Sequence, residues 1–287
     1  MNSAPQPISA ATTMGPVALT VTDLDRSLAY YEENIGLQVL ARNGDTATLG
    51  AGETPLLDLE ATAAGRAVPS AAGLYHFALL VPSRLELART LQHLVATRTP
   101  IGGASDHHVS EALYLSDPDG HGIEIYRDRP RADWVDANGR FFMTTERLDV
   151  DGVMGELARD DRPWTGMDAG TVMGHVHLQV TNVDAARRFY MDVLGFDHMI
   201  DYPSAGFLSA GGYHHHLGIN MWNSAGRGQA PASAAHLRWF TVNVPSADEL
   251  QAVAARAAAH GVETTSQGDA LQLRDPSGNM LHVRVQA

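Results

Sequence analysis

The chain repeats itself. Gly15-Pro16-Val17-Ala18-Leu19-Thr20-Val21-Thr22 returns as Gly174-His175-Val176-His177-Leu178-Gln179-Val180-Thr181, and the same offset of 159 residues carries Asp25 to Asp184, Tyr31 to Tyr190 and Gly36 to Gly195. Each copy reads as an apolar strand, an Asp placed as helix N-cap, and a helix stopped by Gly. A second pair is built the same way. Val81-Pro82-Ser83 with Glu86-Leu87 matches Val244-Pro245-Ser246 with Glu249-Leu250, and the Asp117-Pro118-Asp119-Gly120 turn matches Asp275-Pro276-Ser277-Gly278. The fold class is therefore α+β, made of four units that each run strand, helix, then about three strands. Two domains are expected, 14–127 (units 14–60 and 72–127) and 171–287 (units 171–223 and 235–287), joined by a linker over 128–170 whose Val150 to Arg159 stretch reads as helix. Residues 1–13 read as a disordered tail.

Composition narrows the function. A chain of 287 residues with 44% hydrophobic and 18% charged residues can bury a sizeable core and is neither disordered nor membrane-spanning. Its formal charge of −13 argues against nucleic acid and anionic membranes, whose recognition needs a basic field. There is no cysteine, so disulfides, thiol catalysis and thiolate metal sites are excluded, whereas 14 histidines are present. The first residues lack a basic start followed by an apolar run, so the expected location is the cytoplasm.

Ala112 to Tyr126, ALYLSDPDGHGIEIY, reads as a hairpin, because Asp117, Pro118, Asp119 and Gly120 are turn formers between two strand-like runs. Side chains alternate along a strand, so Glu124 points away from Ile123 and Ile125, in company with Gly122 and Tyr126. Such a glutamate is either a solvated residue of a half-exposed strand or a carboxylate on a concave face that needs a partner.

The βαβββ units, the GHVHLQV and LYHFALLV strands and the DPDGHGIEIY hairpin resemble the vicinal oxygen chelate superfamily of glyoxalases, bleomycin-resistance proteins and extradiol dioxygenases. Within it, the two-domain length resembles the catechol 2,3-dioxygenases. The resemblance covers about Gly15 to Val285 and implies two eight-stranded cupped barrels. In extradiol members of this type, two histidines and one glutamate hold a metal. Carried over residue by residue, His175 matches the first position, His76 in Tyr75-His76-Phe77 the second, and Glu124 the third. Two imidazoles and one carboxylate leave open positions for a chelating substrate and dioxygen, which suits Fe(II), with Mn(II) as the alternative. The competing reading is a set of satisfied core histidines.

In the commoner family layout the third and fourth units supply all three ligands. Here the fourth offers Trp239 where His76 stands and His282 where Glu124 stands, and the first offers Pro16 where His175 stands. Metal ligands lie about 2 Å from the ion, so the second and third units are expected to pair around it and the first with the fourth. The rival is sequential pairing, with His175, His282 and one of His214 to His216 as the site.

Other roles rest on the same resemblance. His215, followed by an aliphatic-small-apolar pattern, matches a family acid and base, with His214 and His216 turned away if the strand is regular. Tyr114 stands where the family keeps a tyrosine that bonds the substrate oxygen. His107 resembles a further active-site histidine, although its run to Tyr114 is shorter than the family's. The bland readings are a His-rich rim and an ordinary strand aromatic. His121 reads as a turn or surface residue, and Arg42 to Glu60 and Tyr202 to Ser209 as pocket walls. The implied activity is ring cleavage of a catechol or substituted catechol by O2 to a 2-hydroxymuconate-semialdehyde-type product. A small aromatic diol and O2 are the partners, and a homodimer is the default assembly. The alternatives are a glyoxalase-like metal-dependent isomerase or lyase and a non-enzymatic aromatic-ligand-binding protein.

Overall fold

The computed structural model describes residues 7–286, except for the side chain of Arg159. The first unit contains β1 (Thr13–Val21), α1 (Leu24–Tyr30), β2 (Gln38–Asn43), β3 (Thr46–Ala51) and β4 (Thr54–Ala61). The second contains β5 (Gly73–Leu80), α2 (Arg84–Ala96), β6 (Gly103–Asp106), β7 (Ser110–Ser116) and β8 (Gly122–Asp128). A connecting segment carries β9 (Glu146–Arg147) and α3 (Val150–Gly155), which runs on as a 3₁₀ turn over Glu156–Arg159. The third unit has β10 (Val172–Gln179), α4 (Val183–Phe189), β11 (Asp197–Tyr202), β12 (Ala205–Ser209) and β13 (Leu217–Asn220). The fourth has β14 (Leu237–Val244), α5 (Ala247–Ala259), β15 (Thr265–Gln267), β16 (Ala270–Arg274) and β17 (Met280–Val285). No helix among the described residues is long and apolar enough to cross a membrane.

The sheets join units that are not neighbours in sequence. One has the order β15-β16-β17-β14-β1-β4-β3-β2, fourth unit beside first; the other runs β11-β12-β13-β10-β5-β8-β7-β6-β9, third beside second. Sequential pairing is thereby ruled out. In both sheets the seam is an antiparallel pair of first strands, β1 with β14 and β5 with β10. The expected pair of eight-stranded sheets needs one correction. The second sheet has nine strands, because the connecting segment adds β9 to the edge of β6 through Ser105↔Arg147 and Asp106↔Glu146.

Alternation along the seam strands divides inside from outside. Val17, Leu19, Phe77, Leu79, Val176, Leu178, Phe240 and Val242 belong to one apolar core shared by both sheets and their helices. The intervening residues, His76, Ala78, His175 and His177 among them, face the other way, into the cup of the nine-stranded sheet.

The repeated turn is a structural device. Asp117 Oδ1 accepts from the backbone N–H groups of Asp119 and His121 at 2.9 and 2.8 Å, and its other oxygen takes the Tyr31 hydroxyl at 3.0 Å. Asp275 repeats this with Ser277, Asn279 and Tyr190 at 2.8, 2.9 and 2.9 Å. Buried carboxylates satisfied by backbone donors fix each hairpin against the helix of the preceding unit. His121 is not a surface residue: it is 3% exposed and its Nε2 donates to Thr20 O at 2.9 Å, tying the second unit's hairpin to β1.

Two further expectations change. The helix N-caps are Asp23 and Asn182, whose side chains accept from Arg26 and Ala185, so Asp25 and Asp184 fall inside the first turn. Gly36 and Gly195 do end their helices, with φ of 86° and 87° that favour glycine. The tail reading fails over 7–13, because Ile8 and Thr12 are buried, Ile8 N–H donates to Gly195 O at 2.8 Å, and Thr13 begins β1. The rest of that reading, over 1–6, lies outside the described residues.

Because each sheet takes strands from both halves of the chain, four from each half in one and four and five in the other, neither half can complete a sheet alone. Fragments 1–127 and 128–287 expressed separately should lack cooperative thermal unfolding by circular dichroism. Mixed from denaturant, they should recover it and elute together on size exclusion. Two independently folding fragments would contradict the cross-paired fold.

Candidate metal centre

Register builds the site. In the antiparallel β5–β10 pair His175 lies opposite Ala78, and in the parallel β5–β8 pair Ala78 lies beside Glu124. Glu124, Ala78 and His175 thus form one row across three strands, and His76, two residues along β5, shares their face. Ala78 is fully buried, and its methyl leaves the centre of the row open. Sequence reading missed this residue, whose signal is only a small side chain in an otherwise bulky strand.

His76, Glu124 and His175 each offer a ligand atom, all within 4.8 Å of one another, and are 6%, 3% and 1% exposed. Glu124 Oε2 lies 3.2 Å from His175 Nε2, which donates to it, and 3.0 Å from His76 Nε2. The second approach lacks hydrogen-bond geometry, so His76 Nε2 is buried without a hydrogen bond. An orphaned buried nitrogen costs about 1–3 kcal/mol. A cation among these three groups would take its lone pair, so the residues fit a metal ion. The charges also fit: burial pushes the Glu124 carboxyl up, but the His175 and His76 imidazoles outweigh it and hold it well below the usual carboxylate range. Burial lowers His175 to about 4, keeping it neutral near pH 7 as a metal ligand must be.

The structure brings the other candidates to the same cavity, of about 500 Å3. Tyr114 pairs with Glu124 across β7–β8, and burial, then Glu124, keeps its phenol well above its ordinary range. His107 Nδ1 lies 2.8 Å from Thr144 O, and a carbonyl only accepts, so this nitrogen carries the proton. His107 Nε2 is then the acceptor for the Tyr114 hydroxyl at 2.6 Å. Of the three consecutive histidines, His215 lines the cavity, with its ring centroid 4.1 Å from that of His175. His216 turns to Ser209 Oγ and Ala210 N–H at 3.1 and 3.2 Å, and His214 to Asp128 at 2.8 Å. His282 is in the other sheet, stacked on Trp239 at 4.7 Å, far from any shared site with His175.

His177 also faces the cavity, directly opposite His76 in the seam, and carries no role in the sequence reading. Trp222 N–H donates to Asn220 Oδ1 at 3.2 Å, which turns the Asn220 amide nitrogen to His177 Nε2 at 3.1 Å. Gly218 makes room for it, since a Cβ there would sit 2.7 Å from the His177 ring. Tyr75 and Trp222 form an aromatic lip beside His177, with centroids 5.3 Å apart. The expected walls are half right. Tyr202 and Phe207 line the cavity, but 42–60 belongs to the eight-stranded sheet; Met143, Thr144 and Thr145 of the connecting segment line it as well.

The model of the Glyoxalase/Bleomycin resistance protein/Dioxygenase superfamily matches residues 13–125 and 172–283. A catechol-2,3-dioxygenase of Bacillus subtilis (strain 168) is 44% identical over 271 residues, spanning 92% of this chain and 94% of that relative. Among solved structures, a candidate dioxygenase of Bacillus subtilis superposes with a TM-score of 0.65 at 12% identity, covering 97% of this chain and 86% of that one. Glyoxalase I of Zea mays superposes at 0.57 with 16% identity, over 96% and 92%. At such identities the two structures share the fold alone.

Anaerobic Fe(II), or Mn(II), should raise the melting temperature, corresponding to about 2.7 kcal/mol at a hundredfold excess over Kd. Glu124→Ala should abolish the shift by removing a ligand, and Ala78→Leu by filling the centre of the row. An undiminished shift in both would remove the metal from this cup. The metal-free protein should also lose stability as pH falls from about 6.5 towards 4. Over that window unfolded His175 takes up a proton that the folded residue refuses, as denaturant titrations at pH 7 and pH 5 would register.

Proposed function

The chain belongs to the glyoxalase/bleomycin resistance protein/dioxygenase superfamily, and from that membership we propose that it is a metal-dependent extradiol dioxygenase cleaving a catechol. His76, Glu124 and His175 are the metal ligands in this reading. One observation carries it: two imidazoles and one carboxylate converge, and His76 and Glu124 of that set line a cavity together with further proton-handling groups. The name of the Bacillus subtilis relative supports the choice of substrate.

When bound, Fe(II) or Mn(II) supplies Lewis acidity towards the two catechol oxygens and the redox path to O2. The side chains do the rest. One substrate hydroxyl donates to Tyr114, whose own proton is already directed to His107, so the pair can draw off a proton and then hold the oxyanion. His215 is neutral, because burial and then the neighbouring histidines push its imidazole well below the ordinary range. It accepts a proton from the substrate and returns it as the ring opens, both atoms of O2 entering a 2-hydroxymuconate-semialdehyde-type product. The exposed Tyr75 and Trp222 line the outer part of a cavity larger than unsubstituted catechol needs, which favours catechols carrying a substituent.

Oxygen uptake and the yellow absorbance of a ring-cleavage product, after anaerobic loading with Fe(II) and addition of catechol, should be present in the wild type and absent in Glu124→Ala. His215→Gln should retain the metal and lose roughly 10²–10⁴-fold in kcat. Metal binding without oxygen uptake on any catechol would favour the isomerase instead, and no metal binding at all the ligand-binding protein.

A further inference from the structure

Behind His215 runs a chain of hydrogen bonds that the reaction above does not use. His215 Nδ1 lies 2.8 Å from His214 Nδ1, and His214 Nε2 lies 2.8 Å from Asp128 Oδ1. His214 is fully buried and wedged against the rings of Tyr213, Trp134 and Tyr126, with centroids at 4.1, 5.1 and 6.0 Å. Asp128 ends β8, four residues beyond Glu124, and its side chain is 23% exposed.

A carboxylate can only accept, so His214 Nε2 carries a proton. In a neutral imidazole the other nitrogen is then the acceptor, so His214 Nδ1 receives a proton donated by His215 Nδ1. His215 is left with its lone pair on Nε2. That nitrogen has no partner among the described residues and belongs to a ring that lines the cavity.

We infer that Asp128 and His214 are positioning residues that lock His215 in the tautomer whose unprotonated Nε2 faces the substrate. The direction of proton transfer is thereby fixed: His215 must take the substrate's proton before it can return one. The locked tautomer follows from the hydrogen bonds together with an uncharged His214, and only its catalytic consequence rests on the dioxygenase reading.

Asp128→Asn tests this, because an amide nitrogen can donate to His214 Nε2. The chain then reverses: His214 Nδ1–H donates to His215 Nδ1, and the proton of His215 moves to Nε2. With 15N-labelled histidine in the metal-free protein, the His215 ring, assigned by its loss in His215→Gln, should read as the Nδ1–H tautomer in wild type and Nε2–H in Asp128→Asn. In the Fe(II) enzyme, kcat with catechol should fall roughly 10²-fold or more in Asp128→Asn, with KM and metal content unchanged. Asp128→Glu, which keeps an acceptor-only partner, should restore both tautomer and rate. An Nε2–H tautomer in the wild type would overturn the inference, as would a reversed tautomer in Asp128→Asn with undiminished kcat in an active enzyme. A wild type with no oxygen uptake would instead count against the dioxygenase reading, leaving the resonances to decide the tautomer.

Discussion

The antiparallel pairing of β5 with β10 is the constraint on which the rest depends. It joins the second unit to the third, sets His175 opposite Ala78 and His177 opposite His76, and turns all four into one cup. A slip of one residue would send the histidines of either strand into the apolar core. The seam is held by the residues between them: Phe77, Leu79, Val176 and Leu178 are all fully buried in the shared core. Hydrophobic burial on one face of the strand thus fixes the chemistry on the other.

The eight-stranded sheet shows what the same architecture does without those residues. Its eight strands follow the same order as the other sheet's through the β1–β14 seam, and only β9 has no counterpart. Where the other cup has His76 and Glu124, it has Trp239 and His282, whose rings stack at 14° and fill the space between the strands. Gln272, in the place of Tyr114, pairs with His282 at 2.9 Å. Fold alone therefore does not make a metal centre; the residue types at a few register positions do.

The division between what was legible in the sequence and what was not follows the range of the interactions. The four-unit repeat is local and periodic, so strands, helices and the glycines that end them could be read from the chain. The cross-pairing was readable for a different reason: three ligand positions scattered over two units are compatible with one ion only if those units meet. Ala78, His177 and the Asp128–His214 pair were not legible. Their significance comes from cross-strand register and from a buried contact spanning 86 residues, neither of which leaves a periodic trace. The tail over 7–13 was misread because its polar composition hides Ile8, whose burial depends on the distant third unit.

The most direct measurement is anomalous diffraction from crystals grown anaerobically with Fe(II), recorded on both sides of the iron absorption edge. The account predicts a single peak in the nine-stranded sheet's cup, within bonding distance of His76 Nε2, His175 Nε2 and a Glu124 carboxylate oxygen. A peak elsewhere, beside His282 for example, or no peak in crystals that retain this fold, would contradict it.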